Sequence, residues 1–477
     1  MGELLLNHQI HLAASPGEAF ARFGSGDPTD GWLFGAETSS MQAGSVVRLA
    51  LPLGGLAGLE GTARIVGTTP YRRIDLIHES PWSGRVACLF APTPEGGTKL
   101  TVRVTIDDIE IERLGTELGL VSPAPRHGTQ AVGLLTSLSG AAGLLGRSTV
   151  NCAELAVEEI NAAGGVLGRP VHLVVADDAT DATVGRLAMR RLLATPGVGT
   201  VVGMHSSATF AAAAPLAIAA GVPYLYTPTS EPQGRHPLLV RFGETPLDQL
   251  HRALPRLAEE TGGRRWFLTG NDYSWPRAIG STARTIVQRM GATVAGERYV
   301  PVGSRGFDQL LEAIRASGAE QVISSFIGQD HVRFERQFVR SGLRETTRTF
   351  APLLDDAVVE HLGPDASGIW NVLGYFEGLD TVANRAFLAR YRDRFGSCSP
   401  PVSAAAEGVY EALHQWALAC HARRGTDATA VIDGLRRVRF EGPRLRRLSG
   451  ERQLLLGEAG PGGVHILEDL PVANLVS

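Results

Sequence analysis

The chain has 477 residues, 44% of them hydrophobic and 20% charged, with a formal net charge of -4. That length exceeds what one hydrophobic core serves, so two or three globular units are expected, and the charge balance gives no reason for a nucleic-acid partner. The opening MGELLLNHQIHLAASPGEAF has no basic stretch, its apolar run Leu4–Leu6 ends at Asn7 and His8, and no later segment approaches the ~18 apolar residues of a membrane span. The expectation is therefore a cytoplasmic chain with no export signal, no lipobox and no membrane segment.

Up to about residue 110 the hydrophobic period is two. Leu100, Val102, Val104 and Ile106 alternate with Lys99, Thr101, Arg103 and Thr105; Ile74, Leu76 and His78 repeat the pattern, as do Val47, Leu49 and Leu51. Such strands bury one face and wet the other. A short helix is predicted over Pro16–Phe23, with Ser15 as N-cap and Pro16 in the first helical position. Glycine and proline mark turns at Gly54-Gly55, Thr69-Pro70 and Gly96-Gly97. The order of strand, helix and antiparallel meander, with SPGEAFARF, Trp32, Gly35, GTARIVG, PYRRIDL and GTKLTVRVTI, resembles the START/polyketide-cyclase (SRPBCC) superfamily over about residues 3–110. The resemblance implies a small α+β helix-grip domain, here 1–120, whose sheet holds a long C-terminal helix around an apolar cavity. Arg113–Leu120 is short for that helix and Pro123 and Pro125 follow, so ligand binding, docking, dimerisation and catalysis all stay open for this domain.

Val121–His127 reads as a proline-bearing linker, within a boundary set at 121–128. Beyond it, from 129 to 477, apolar strands alternate with helices of period 3.6. Strands are predicted at Ala131–Leu135, Val171–Ala176, Thr200–Gly203 and Val222–Tyr226. A helix running to Ala163 buries Cys152, Leu155, Ala156 and Ile160 and stops at Gly164-Gly165. The alternation restarts after Thr245 with strands at Trp266–Thr269, Val294–Tyr299, Gln321–Phe326 and Ile369–Gly374, and a helix carrying Phe307, Leu310, Leu311 and Ile314 among those between. Two such parallel sheets in one chain imply two α/β lobes with a cleft between them. Arginines 436, 437, 439, 444, 446 and 447 read as a solvated face, because Leu445 and Leu448 interrupt them. Cys88, Cys152, Cys398 and Cys420 are widely spaced with no CxxC, as expected of ordinary thiols rather than a metal site or disulfides.

ELAVEEINAAGGVLGRPVHLVVADDATD, VVGMHSSATFAAAAPLA, GVPYLYTPTS and GNDYSWPR follow one another in order. Together they resemble the amide-, urea- and branched-chain-amino-acid-binding branch of the periplasmic-binding-protein type I family, over about residues 130–469. The resemblance implies lobe 1 at about 129–245 and 380–438 and lobe 2 at about 246–379 and 439–477, with crossovers near Thr245, Leu379 and Arg439.

Parallel sheets present ligands to the carboxyl ends of their strands, where helix N-termini also point. Those ends carry Ser206 and Ser207, then Tyr226, Thr229 and Ser230, and in lobe 2 Asp272, Tyr273 and Trp275; Gln329 and Asp355 follow later strands. These are the candidate ligand-binding residues. The resemblance puts the family's contacts on Ser207, Tyr226, Thr229 and Tyr273 in particular. Ser206 also suits a helix cap, Tyr226 a core position, Asp272 a loop brace and His205 a structural role. Gly140, Gly143 and Gly146 have the wrong spacing for a dinucleotide-binding loop. No catalytic motif, metal set or cofactor site is expected, and the chain is read as a binding protein rather than an enzyme. The leading functional expectation is a cytoplasmic sensor that closes on a small polar ligand (an amide, a urea-like compound or an amino acid) and signals to a regulatory partner. The alternative is the solute-binding component of an ABC importer, with a transporter as partner.

Overall fold

The computed structural model describes residues 4–24, 36–51, 59–80, 84–94, 96–106, 128–231, 236–444, 453–460 and 462–471. Trp32, Gly35, the turn at Gly54-Gly55, Arg113–Leu120, the linker Val121–His127, Leu445, Arg446, Arg447 and Leu448 lie outside those residues. The chain divides into two units, Met1–Pro123 with Leu138–Arg147, and Ala124–Ser137 with Ser148–Ser477.

Alternation decides burial in the N-terminal unit. β1 (Leu4–Leu12), α1 (Pro16–Ala21), β2 (Val46–Leu51), β3 (Leu59–Thr69), β4 (Arg73–Ser80), β5 (Gly84–Pro92) and β6 (Thr98–Ile106) form an antiparallel sheet of order β1-β6-β5-β4-β3-β2 beside one helix. Leu100 and Val102 on β6, Ile74 and Leu76 on β4 and Val47 on β2 join Ala19 and Phe23 in the core, while Arg103 points to water. Ser15 and Glu18 cap α1 reciprocally, the Ser15 hydroxyl donating to Glu18 Oε2 at 2.8 Å. The helix ends at Ala21, short of Phe23. His78 lies on the buried face, and burial pushes its pKa down to about 4.

In the second unit most strands pair in parallel. β7 (Gln130–Thr136), α2 (Gly146–Ala162), β8 (Val171–Asp177), α3 (Ala182–Ala194), β9 (Val198–Met204), α4 (Ser207–Ala219), β10 (Tyr224–Tyr226) and β11 (Leu239–Arg241) make the lobe-1 sheet, of order β11-β10-β9-β7-β8. The chain then crosses to lobe 2: α5 (Pro246–Leu250), α6 (Ala253–Thr261), β12 (Arg265–Asn271), α7 (Ser274–Arg289), β13 (Thr293–Val300), α8 (Asp308–Ser317), β14 (Gln321–Ser325), α9 (Gly328–Arg340), β15 (Arg348–Phe350), α10 (Asp356–Leu362) and β16 (Trp370–Leu373). It returns to lobe 1 for α11 (Val382–Phe395), α12 (Ala404–Arg423) and α13 (Ala428–Leu435). It ends in lobe 2 with the hairpin β17 (Gln453–Gly460) and β18 (Gly463–Pro471), antiparallel to β16. The lobe-2 sheet thus runs β13-β12-β14-β15-β16-β17-β18. Polar contacts fasten the returning helices to α2. Glu159 takes hydrogen bonds from Arg390 Nε at 2.7 Å, Tyr410 at 2.5 Å and His414 Nε2 at 3.1 Å, and Arg394 pairs with Glu158.

The three passages between the sheets converge on one ion cluster. Glu244 lies in the first passage, between β11 and α5; its Oε1 accepts the N–H of Gly374, the first residue of the second, at 3.1 Å. Arg444 lies in the third and reaches that same oxygen at 3.2 Å. Its guanidinium also pairs with Glu407 on α12 and donates to the Ala404 carbonyl at 2.5 Å. The side chain of Arg444 is 7% exposed and that of Glu407 0%. A Cβ at position 374 would sit 2.5 Å from Glu244 Oε1, so any side chain there would displace that carboxylate from the cluster. Removing one partner of a buried pair strands the others as charges without solvent. Arg444→Leu is therefore expected to lower unfolding free energy by about 3–5 kcal/mol, read from urea denaturation; a change below about 1 kcal/mol would show that the cluster is solvated in solution.

Candidate functional site

The site is built from strand ends, beginning with those of lobe 1. Behind them Asp178, fully buried, accepts the hydroxyls of Ser137 and Thr209, each at 2.6 Å, and the N–H of Thr180 at 2.9 Å. This carboxylate is saturated and holds the ends of β7, β8 and β9 in register. Ser206 caps α4, its Oγ accepting the N–H of Thr209 at 3.2 Å. Tyr226 is 1% exposed, packs its ring on Phe210 at 4.5 Å between centroids, and donates its hydroxyl to the His205 carbonyl at 2.7 Å. His205 is itself in the core, hydrogen-bonded to Tyr224, and burial lowers its pKa below the usual imidazole range against the pull of Asp178. Thr229 and Ser230 are buried, and Ser230 N–H donates to the Glu244 carbonyl at 2.9 Å, joining this loop to the first passage.

In lobe 2, Asn271 ends β12 fully buried. It donates to Asp330 Oδ2 at 2.8 Å and accepts the N–H of Ile327 at 2.9 Å. Asp330 Oδ2 also accepts the N–H of Gly303 at 2.7 Å, so this pair fixes three loops at once. Asp272 faces outward and pairs with Arg277 at 2.8 Å. Trp275 is 2% exposed and belongs to the lobe-2 core. Tyr273 is half-buried at the edge of that core; burial first, then the charges of Glu231 and Asp330, raise its hydroxyl pKa.

The lobes touch where these ends meet. Ser207 Oγ of lobe 1 and Ser274 Oγ of lobe 2 are hydrogen-bonded at 2.9 Å. Asp355 caps α10 through the Val358 N–H at 3.2 Å. Several polar atoms near the strand ends, buried among the described residues, have no hydrogen-bond partner there: Thr136 Oγ1 and Glu231 Oε1 from lobe 1, Ser325 Oγ and Gln329 Oε1 from lobe 2. The structure thus brings Ser207 against lobe 2, while Tyr226 is buried in lobe 1 and Tyr273 packs at the edge of the lobe-2 core. It sets Trp275 in the core, Asp272 at the surface and Asp355 at the cap of α10. Sequence reading missed Glu231, Asn271, Ser274 and Asp330. Asn271 and Ser274 stood inside the quoted GNDYSWPR, and Glu231 is the residue after the quoted GVPYLYTPTS.

A family model described as periplasmic binding protein matches residues 129–455. Among curated relatives, Leu/Ile/Val-binding protein homolog 8 of Brucella abortus (strain 2308) is 28% identical over 223 residues, which are 44% of this chain and 55% of the relative. The chain spans about half the length of the curated relatives it matches. A solute-binding protein of an ABC transporter from R. palustris, solved in complex with benzoate, superposes with TM-score 0.64 at 19% identity, covering 72% of this chain and 98% of that one. A branched-chain amino acid ABC transporter periplasmic ligand-binding protein from Burkholderia xenovorans LB400 gives TM-score 0.60 at 21% identity, covering 72% and 96%. At such identities the structures establish the two-lobed fold. The expected cytoplasmic location is overturned: the matched family and the Burkholderia neighbour are periplasmic. The same matches favour the importer alternative over the sensor.

Asp356, beside Asp355, accepts the N–H groups of Glu377 in the second passage at 2.8 Å and of Val464 on β18 at 3.4 Å. Burial raises the two carboxyls to about 6 for Asp355 and about 7 for Asp356, with the hydrogen bonds opposing. An unfolded aspartate titrates near 3.9, so the folded state keeps these protons longer. Their contribution to stability therefore falls as pH rises from about 4 to about 7 and is level above that. Asp356→Asn is expected to flatten the upper part of that slope, gaining on the wild type as pH rises. Urea unfolding at several pH values between about 4 and about 8 checks it; parallel curves for the two proteins would be the contrary result.

Proposed function

The chain belongs to the periplasmic binding protein family, and from that premise we propose that it is the solute-binding component of an ABC importer, closing its lobes on an amino acid, an amide or a urea-like compound. The observation that carries this reading is the Ser207–Ser274 bond, which joins the strand ends of the two lobes directly. In this reading the unpaired N–H groups of the first turn of α4 and the hydroxyls of Ser206 and Ser207 take a ligand carboxylate or carbonyl oxygen. Thr229, Ser230 and Tyr226 wall the lobe-1 side, and Tyr273 and Gln329 come from lobe 2. Closure shifts an open–closed equilibrium by the ligand's differential affinity for the closed form, and a transporter reads that form. The likeness to Leu/Ile/Val-binding protein homologs favours a branched-chain amino acid.

The N-terminal unit, proposed as an independent domain of about 1–120 joined by 121–128 to the binding protein at 129–477, is read as START/polyketide-cyclase-like. Its support is the pairing of β1 with β6, which closes the meander beside α1.

A thermal-shift screen of amino acids, amides and ureas is expected to find ligands, since a ligand at a hundredfold over its Kd adds ~2.7 kcal/mol. Ser207→Ala and Tyr273→Phe should each weaken the best ligand by roughly five- to a hundredfold in calorimetry, the loss of one hydrogen bond worth about 1–3 kcal/mol in a desolvated cleft. Unchanged affinity in both variants would move the site away from these strand ends.

A further inference from the structure

A polar cavity lies at the far end of lobe 2 from the cleft. The parallel strands meet the cleft at their carboxyl ends, whereas this cavity, of about 570 Å³, opens where β14, β15 and β16 begin, beside the C-terminus of α6. Register sets Gln321 opposite Arg348, Phe350 opposite Trp370 and Trp370 opposite Glu458, so Gln321, Arg348, Trp370 and Glu458 share one face of the sheet. Carboxylates dominate the lining. Glu260 pairs with Arg256 at 2.9 Å, and Glu320 accepts the N–H groups of Arg264 and Arg265 at 2.6 and 3.0 Å. Glu345 and the half-buried Glu458 have no ion-pair partner among the described residues. Against these stand two cations, Arg348 in the lining and Arg256, whose guanidinium lies 5.9 Å from the centroid of the Trp370 ring. α6 adds the negative end of its dipole, closing on Gly262 at φ 70°. Gln321 is an independent sign. It is 1% exposed, its Nε2 donates to Thr261 Oγ1, and its Oε1 is buried without a donor among the described residues. Leaving such an oxygen unmatched is costly. Among the described residues no three His, Cys, Asp or Glu side chains gather closely enough to hold a metal ion, so acceptors this widely spread call for a ligand with several N–H groups.

We propose that this cavity binds a small organic cation, an amine or guanidine with two or more N–H groups, separately from the solute in the cleft. Its volume suits a compound of that size. One nitrogen donates to Gln321 Oε1 beneath α6, and the positive charge lies toward Glu458 and Glu345. Trp370, which already carries the guanidinium of Arg256, supplies a flat wall. Because the cavity and the cleft lie at opposite ends of the same strands, the two ligands do not compete. The cation touches α6 and four neighbouring strands at once, so its binding stabilises lobe 2.

The test is calorimetric titration of the full chain with agmatine and putrescine, against butane-1,4-diol, which has the carbon chain of putrescine and no nitrogen. The amines are expected to bind and the diol not to, with affinity falling as salt rises from about 0.05 to about 0.3 M. Glu458→Gln should weaken the amines about ten- to a hundredfold, the worth of a hydrogen bond to a charged group, and Gln321→Met about three- to tenfold. Should the buried Gln321→Met fail to fold, Glu458→Gln, at a part-exposed position, decides alone. Amine affinity unchanged in Glu458→Gln would place the cation elsewhere on the chain and overturn the assignment. The diol binding as tightly as putrescine, or neither amine binding, would overturn it too, and neither result touches the reading of the cleft.

Discussion

One guanidinium holds the three chain passages of the binding unit at a common point. Arg444 comes from the third passage, Glu244 from the first, and the N–H of Gly374 opens the second; Glu407 extends the cluster into α12. Buried ions are poor contributors to net stability but strong enforcers of geometry, because no rearrangement that separates them finds water in exchange. The three passages are therefore held together at this point. What lies on the cleft side of it (the Ser230 loop, anchored through the Glu244 carbonyl) inherits its position from the cluster.

From that point outward, the polar groups sort into two kinds. Asp178, Asn271 and Asp330 have their hydrogen-bonding capacity largely filled by neighbouring loops. They are scaffolding: each ties strand ends that would otherwise expose unpaired backbone. Thr136, Ser325, Gln329 and Glu231 end in atoms with no partner among the described residues. Atoms of the same kind also occur away from the strand ends, as at Trp416 Nε1 and Thr349 Oγ1. The interlobe bond Ser207–Ser274 is a hydroxyl pair, which water would replace when the lobes open.

Local periodicity was enough to read the architecture of the binding unit. Apolar runs located β7, β8, β9, β12 and β14, because a strand covered on both faces by helices is apolar throughout. It could not locate β11 and β15, each only three residues long, nor the β17–β18 hairpin, whose antiparallel addition to β16 depends on a sheet edge formed far away in sequence. In the N-terminal unit, alternation identified the buried faces of β2, β4 and β6, since one side of that sheet meets the core.

The sequence alone determined the two-lobed α/β class, the strand ends that carry polar residues and the helix start at Ser206, since each depends on residues within one or two turns of one another. Only the tertiary structure decided which of those polar residues are spent. Tyr226 gives its hydroxyl to His205, Trp275 enters the lobe-2 core, Asp355 caps α10, and Glu231 is left with a buried oxygen unmatched. Whether a side chain is satisfied depends on partners brought near from distant parts of the chain, and residue identity and spacing carry no record of that pairing.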